Sequence, residues 1–135
     1  TKEAAVGMVA GTHGSTYGGN PLSTAAVNAV LDVVLEDGFL DHVKEIGDYL
    51  RGEVEKLVAK YPDIYKSVRG AGLMLGIVAG PPNGEIVGKA VAHGMLTVPA
   101  GDNVVRLIPP LTIGKAEADE AIAILDKVAS EMASA

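Results

Sequence analysis

The sequence predicts an α/β fold in which a small sheet is covered by helices, as in an α+β domain. From Phe39 onward, helical periodicity and strand-like apolar runs follow one another as helix, strands, helix, strands, helix. Hydrophobic residues make up 48% of the 135 residues, enough for one core of ordinary size. The chain has no cysteine, so neither disulfides nor thiolate metal sites support that core.

The overall charge narrows the classes of partner. The formal net charge is −6, which argues against nucleic acid or an anionic membrane surface as the main partner. No apolar run is long enough to span a bilayer, and the start lacks the order of a signal peptide. We therefore expect a soluble, cytoplasmic protein. The three histidines, His13, His42 and His93, are too far apart in sequence to predict a metal site.

Residues 1 to about 35 do not obviously belong to the layered part. Ala4 to Ala10 resembles a short buried turn of helix, and a chain that begins in this way is expected to be cut from a longer one. Asn20 can cap a following helix, with Pro21 at its first position and Gly38 at its end. This helix is poor in charge, so we expect it to be covered on both sides.

The layered part is predicted in seven elements. A helix over Phe39–Tyr61 has its apolar residues on one face and its charges on the other. The remaining elements are strands at 64–68 and 73–78, a helix at 85–93, strands at 95–98 and 104–108, and a last helix that opens at Thr112 or Gly114.

A glycine-rich stretch, Gly11 to Pro21, directly precedes the first long helix. Its eleven residues include four glycines and four side-chain hydroxyls. Glycines let a backbone approach a ligand closely, and exposed N–H groups and hydroxyls at a helix entrance suit a phosphate. The stretch lacks the spacing of a nucleotide P-loop. Because the same residue types dominate ordinary surface turns, both a phosphate site and a plain turn remain open here.

Arg106 stands in a strand whose neighbours are all apolar, Val104 to Ile108. Strand alternation places Arg106 on one face with Val104 and Ile108. A guanidinium among apolar residues requires an anionic partner. That partner is either an internal carboxylate or the carboxylate of a substrate, which arginine binds in a bidentate manner. Arg69, before a Gly-Ala-Gly bend, is expected to form a surface salt bridge.

Three stretches resemble the class III (ornithine-type) aminotransferases, which use pyridoxal phosphate. Gly11 to Leu22 resembles the family's loop at the dimer interface, and Val68 to Gly76 resembles its small-domain strand after a glycine bend. Val104 to Leu111 resembles its substrate-carboxylate strand. They run in the family's order over nearly the whole chain.

The resemblance implies the C-terminal part of a fold-type I pyridoxal-phosphate transferase. Residues 1–35 would be the end of the large domain, and residues 36–135 the C-terminal small domain. Thr16 would bind the cofactor phosphate across a homodimer interface, with Ser15 beside it. Arg106 would hold the α-carboxylate of the amino-acid substrate, and the partners would be amino-acid and 2-oxo-acid substrates.

The lysine that forms the Schiff base with the cofactor in this family has no match in the chain. It precedes the glycine-rich loop in the family, and nothing in Thr1 to Ala10 matches its surroundings. The resemblance therefore implies an enzyme of which these 135 residues alone are inactive and without cofactor. A stand-alone module that binds a small acid without catalysis is the alternative.

Overall fold

The computed structural model describes residues 1–11, 14–16 and 18–134, without the side chain of Ala4. The chain divides into two compact units, Thr1–Phe39 and Leu40–Ala135.

The first unit contains two helices, α1 (Lys2–Ala5) and α2 (Pro21–Val34). The predicted cap is confirmed, because Asn20 Oδ1 accepts a hydrogen bond from the Ser23 N–H at 2.9 Å. Pro21 is the first helical residue, where its missing N–H costs nothing. The helix ends at Val34, earlier than predicted, and Gly38 follows with a left-handed φ of 84°.

Two expectations about the first unit are wrong. α2 buries none of its residues, although it was expected to be covered on both sides. The stretch after α1 is also exposed rather than buried, since Val6, Met8 and Val9 are 76%, 62% and 63% exposed. Low charge shows that a helix can be buried, but burial needs an opposing apolar surface. The described residues of this unit do not supply one.

The second unit confirms the predicted class, with one small antiparallel sheet and three helices over the residues described. Its elements are α3 (Phe39–Lys60, whose first residue closes the other unit), β1 (Tyr65–Ala71), β2 (Met74–Ala79), α4 (Asn83–Ala92), β3 (Val98–Ala100), β4 (Val104–Leu107) and α5 (Lys115–Ala133). The strand order is β1-β2-β4-β3, and all neighbouring strands are antiparallel.

The strand predicted at residues 95–98 is shorter and later than expected. The Met95 N–H bonds back to Ala90 O at 2.9 Å and so completes the end of α4 instead of pairing in the sheet. β3 contains Pro99, which cannot donate to a ladder and therefore fits an edge strand.

The helices cover one face of the sheet. Alternate strand residues point into the core, which also contains residues of α3, α4 and α5; its fully buried members include Leu75, Ile77, Val105, Val54, Ile86 and Leu125. Among residues of the other parity, Met74 and Arg106 are exposed, whereas Val104 is buried. The outer face of the sheet is therefore open around Arg106 within the described unit.

Two glycines on α3 differ in what surrounds them. A Cβ placed on Gly47 would lie 2.7 Å from the carbonyl carbon of Gly72, because α3 passes directly beside the β1–β2 bend. A Cβ on Gly52 would meet nothing within 4 Å.

We expect Gly47→Ala and Gly52→Ala to change stability in opposite directions. Gly47→Ala overpacks the contact with the bend and should lower the free energy of unfolding by about 1–3 kcal/mol. Gly52→Ala gains helix propensity and should raise it by about 0.5–1 kcal/mol. Urea denaturation followed by circular dichroism measures both, and equal effects would contradict the close packing of α3 on the bend.

Candidate functional site

Arg106 lies in the middle of the sheet, on its outer face. It pairs with Gly76 of β2 on one side and with Val98 of β3 on the other. Its neighbours Val105 and Leu107 point into the core, with 0% and 5% of their surface exposed. Val105 and Leu107 of this apolar strand thus face the core, and Arg106 between them faces the opposite side of the sheet.

The guanidinium of Arg106 is exposed, which corrects the premise that it is buried among aliphatic side chains. The premise fails because α3, α4 and α5 all cover the opposite face. Within residues 1–11, 14–16 and 18–134, Arg106 forms no ion pair and its side chain no hydrogen bond. Its backbone is nevertheless well held, since Thr97 Oγ1 donates to Arg106 O at 2.7 Å.

A second arginine shares the row of Arg106 across the sheet. The register Arg69↔Gly76↔Arg106 places both side chains on the outer face with a glycine between them. A Cβ on Gly76 would lie 2.8 Å from Val104 Cγ1 and 3.7 Å from Arg69 Cγ, so the glycine leaves room for the side chains of Val104 and Arg69. Because Gly76 has no side chain, nothing from β2 separates the two arginines.

Arg69 differs from Arg106 in having a partner. Its Nη2 donates to Asp102 Oδ2 at 3.1 Å, and the two side chains are 56% and 83% exposed. The predicted surface salt bridge of Arg69 is therefore present. An ion pair so open to solvent contributes about 0–1 kcal/mol to stability. The row thus presents one neutralised arginine and one whose charge is available to a ligand.

Hydrogen bonds from Asn83 and Asn103 hold the β3–β4 hairpin, and neither residue was predicted from the sequence to be part of the site. Asp102 and Asn103, in the β3–β4 connection, have left-handed φ values of 58° and 55°, a conformation that Asn and Asp tolerate better than most residues. The Asn103 side chain bonds to the last residue of β2 and to the loop and helix start that follow it. The Asn83 side chain bonds to the backbone at both ends of the β3–β4 connection. A Gly-Asp-Asn sequence between two strands indicates a turn, but its partners some 20 residues earlier give no local signal.

Ser15 and Thr16 lie in the other unit, so no geometry between them and Arg106 is described. Both are exposed, and a Cβ on Gly18 would lie 3.0 Å from Ser15 Cβ, so the loop turns closely around Ser15. Thr12, His13 and Tyr17 of the same stretch lie outside the described residues.

The entrance of α2 is less open to an anion than the sequence predicts. The Ser23 N–H already donates to Asn20 Oδ1, and the Thr24 N–H donates to Asn20 O at 3.0 Å. A phosphate at this place would therefore be bound by the hydroxyls and N–H groups of the loop rather than by these helix N–H groups.

A cavity of about 360 Å³ lies in the second unit but does not include Arg106. It is lined mostly by apolar side chains, among them Leu50, Met95, Leu107 and Ile113. Its one ionisable lining residue, Glu117, accepts a hydrogen bond from the Gly114 N–H at 2.9 Å. Hydrogen bonds from the N–H groups of Glu117 and Gly114 hold the pKa of this carboxyl below its usual value. Glu117 thus caps α5, and no polar group in the cavity points to a substrate.

Tyr49, Tyr65 and Lys60 have shifted pKa values where α5 packs against α3 and β1. A hydrogen bond to Asp119 is the main cause that raises the pKa of Tyr49 to about 12. Burial raises the pKa of Tyr65, whose hydroxyl donates to Leu125 O at 2.9 Å. A hydrogen bond to Asp126 raises the pKa of Lys60. The chemistry that the row offers is anion binding by the guanidinium of Arg106.

The described residues contain no helix long and apolar enough to cross a membrane, and no group of three or more potential metal ligands.

Comparison with known proteins gives one consistent family. The family model for aminotransferase class III matches residues 1–129. Acetylornithine aminotransferase from Agrobacterium fabrum is 49% identical over 132 residues, which cover 98% of this chain and 33% of that protein. The chain thus spans about a third of the length of this relative.

Solved structures agree with the sequence comparison. The crystal structure of acetylornithine aminotransferase from Elizabethkingia anophelis matches with a TM-score of 0.78 at 34% identity, over 90% of this chain and 31% of that one. Lysine aminotransferase from M. tuberculosis also matches with a TM-score of 0.78, at 30% identity, over 94% of this chain and 30% of that one. The fold therefore does not distinguish between these two amino donors.

Proposed function

Since this chain belongs to the class III aminotransferases, we propose that the protein carrying it is an acetylornithine aminotransferase. It would transfer an amino group between N-acetylornithine and 2-oxoglutarate, in the cytoplasm, as a step of arginine biosynthesis. The similarity to acetylornithine aminotransferases over 98% of the chain supports this donor. Another class III activity, on ornithine, succinylornithine or 4-aminobutyrate, is the alternative.

The observation that carries the proposal is the exposed and unpaired guanidinium of Arg106. In the described part of the chain it has no carboxylate of its own, whereas Arg69 in the same row is already bound to Asp102. A guanidinium presents parallel N–H donors that match a carboxylate in a bidentate manner. Arg106 would therefore bind the α-carboxylate of the amino acid and, in the other half of the reaction, a carboxylate of the 2-oxo acid.

The glycine-rich loop fits the phosphate of pyridoxal phosphate. Ser15 and Thr16 are exposed. Gly11 and Gly19 have left-handed φ values of 82° and 74°, which glycine adopts easily, and without side chains they leave the backbone accessible to a ligand. Thr16 would hold the phosphate through its hydroxyl and N–H, with Ser15 beside it. When bound, pyridoxal phosphate supplies the electron sink for amino transfer.

The proposal includes an assignment of domains and of subunit contacts. Residues 1–35 would be the end of a large domain, and residues 36–135 the C-terminal small domain. In a homodimer, the loop with Thr16 would serve the site of the second subunit.

Replacing Arg106 should weaken substrate binding without unfolding the protein. In the full-length enzyme, Arg106→Ala loses a charged hydrogen-bonded pair worth about 1.5–3 kcal/mol, which corresponds to a rise in KM for the amino acid of roughly 10- to 100-fold. The free energy of unfolding should change by no more than about 0.5 kcal/mol, because Arg106 is exposed and has no ion pair with any residue that the structure describes.

Two further variants make this test specific. Arg106→Lys keeps the charge but not the planar fork and should give an intermediate KM. Lys66→Gln removes an exposed lysine of β1 that pairs with Asp63 and should leave the KM unchanged. An unchanged KM in Arg106→Ala would refute the carboxylate role.

Thr16→Ala in the full-length enzyme should weaken retention of the cofactor. Loss of one hydroxyl donor to a charged phosphate is expected to raise the dissociation constant by about tenfold or more. The absorbance that remains after dialysis measures the bound cofactor. Thr16→Ser keeps the hydroxyl and should restore retention, and equal losses in both variants would contradict the role of the hydroxyl.

Residues 1–135 alone should not catalyse transamination. Arg106 and Thr16 provide anion contacts, but these residues lack the family's Schiff-base lysine, so no amine is placed to bond the cofactor. The purified chain, incubated with pyridoxal phosphate, N-acetylornithine and 2-oxoglutarate, should form no glutamate. Turnover by this chain would overturn the expectation, and binding of small acids without turnover would favour the non-catalytic module.

A further inference from the structure

We propose that Asn103, together with Asn83, is a positioning residue for Arg106. The two side chains form a carboxamide lock, defined here as the reciprocal hydrogen bonds of Asn83 and Asn103, which fastens the β3–β4 hairpin to the end of β2 and the start of α4. The inference rests on the proposed role of Arg106 and adds residues that contact neither substrate nor cofactor.

Asn103 uses nearly all of its hydrogen-bonding groups on one segment of the chain. Its Nδ2 donates to Ala79 O and to Pro81 O, each at 2.9 Å. Its Oδ1 accepts from the Asn83 N–H at 2.8 Å, and its backbone O accepts from the Ala79 N–H at 2.9 Å. Asn103 therefore binds the end of β2, the loop that follows it and the first residue of α4.

Asn83 completes the lock from the other side. α4 begins at Asn83, and the preceding Pro82 provides no side-chain cap, so Asn103 supplies the oxygen for this first helix N–H. The Asn83 Nδ2 in turn donates to Ala100 O at 2.9 Å and to Val104 O at 2.8 Å. These two carbonyls belong to the residues that face each other across the hairpin. Asn83 thus binds the backbone on both sides of Asn103, and Asn103 binds the backbone at Asn83 and before it.

Such a lock is needed because the strands that position Arg106 are short. β4 has 4 residues and β3 has 3, so few ladder hydrogen bonds fix their register. A shift of one residue between β2 and β4 would turn Arg106 toward the core face and Val105 toward solvent. The Asn103–Ala79 bonds continue the ladder by one step beyond the Val78↔Val104 pair, where the hairpin would otherwise be free to slide.

The left-handed backbone of Asn103 permits a clean test. Asn103→Gly removes the side chain but tolerates the φ of 55°, so the variant loses the three side-chain hydrogen bonds of Asn103 without backbone strain, while Asn83 keeps its own Nδ2 bonds. In the full-length enzyme with its cofactor, we expect hydrogen exchange in the peptide covering residues 104–108 to accelerate by about tenfold. We also expect the KM for the amino-acid donor to rise by about tenfold, since Arg106 loses its fixed position.

A donor without an α-carboxylate separates positioning from general damage. In a single-turnover half-reaction with a primary amine that lacks this group, and without the 2-oxo acid, Asn103→Gly should react as the unsubstituted enzyme does, because Arg106 has no carboxylate to bind. Asn103→Asp keeps the oxygen that caps α4 and loses the two Nδ2 donors, so it should give an intermediate exchange rate and KM.

Tyr65→Phe is the matched control for lost stability. It removes the buried hydrogen bond from the Tyr65 hydroxyl to Leu125 O, away from the hairpin, and should lower the melting temperature without changing the KM. If Asn103→Gly behaves in the same way, with unchanged exchange at residues 104–108, the positioning role is overturned.

The same set of variants distinguishes failure of the lock from failure of the proposed function. If Arg106→Ala has an unchanged KM while Asn103→Gly still accelerates exchange, the lock holds β4 but the carboxylate role of Arg106 is wrong. If Arg106→Ala raises the KM and Asn103→Gly alters neither exchange nor KM, the carboxylate role stands and the lock is refuted.

Discussion

The antiparallel pairing of β2 with β4 is the constraint on which the second unit depends. Its register sets Ile77 opposite Val105 and Gly76 opposite Arg106. One parity of the two strands therefore enters the core with the residues of α3, α4 and α5, and the other parity faces away from them. The free energy that fixes the register comes from the buried residues, and the position of the guanidinium is its consequence.

Two glycines allow atoms of neighbouring strands in the sheet to approach each other closely. A Cβ on Gly76 would overlap Val104, and a Cβ on Gly70, whose φ is 125°, would lie 2.1 Å from Met74 O. The first glycine keeps the outer face level beside Arg106, and the second lets β1 turn into β2. The helices are close-packed on the other face, as Gly47 shows at the β1–β2 bend. The outer face beside Arg106 is thus left open in the described unit, while the inner face is covered by helices.

Periodicity predicted the elements well, because apolar spacing and end signals are local properties of the chain. The cap at Asn20, the helix from Phe39 and the parity of Arg106 with Val104 all follow from neighbours in sequence. Partners across the fold could not be predicted in this way. The helices lie on the face opposite Arg106, and Asn103 binds residues some 20 positions earlier. The low charge of α2 indicated a buried helix, yet low charge cannot tell which surface would cover it.

The proposed contact with the cofactor phosphate and the proposed contact with the substrate carboxylate use different chemistry. This difference determines which ligands each contact can recognise. A loop of hydroxyls and N–H groups suits a phosphate that stays bound, because its donors are short and set by the backbone. A guanidinium at the end of a long side chain suits a carboxylate that arrives and leaves in every turnover. Every α-amino acid carries that carboxylate, so Arg106 would determine the reaction class and not the donor. Acetylornithine and lysine aminotransferases match this chain with equal TM-scores, so the shared fold does not identify the donor. Choice of donor would then depend on contacts with the side chain of the substrate.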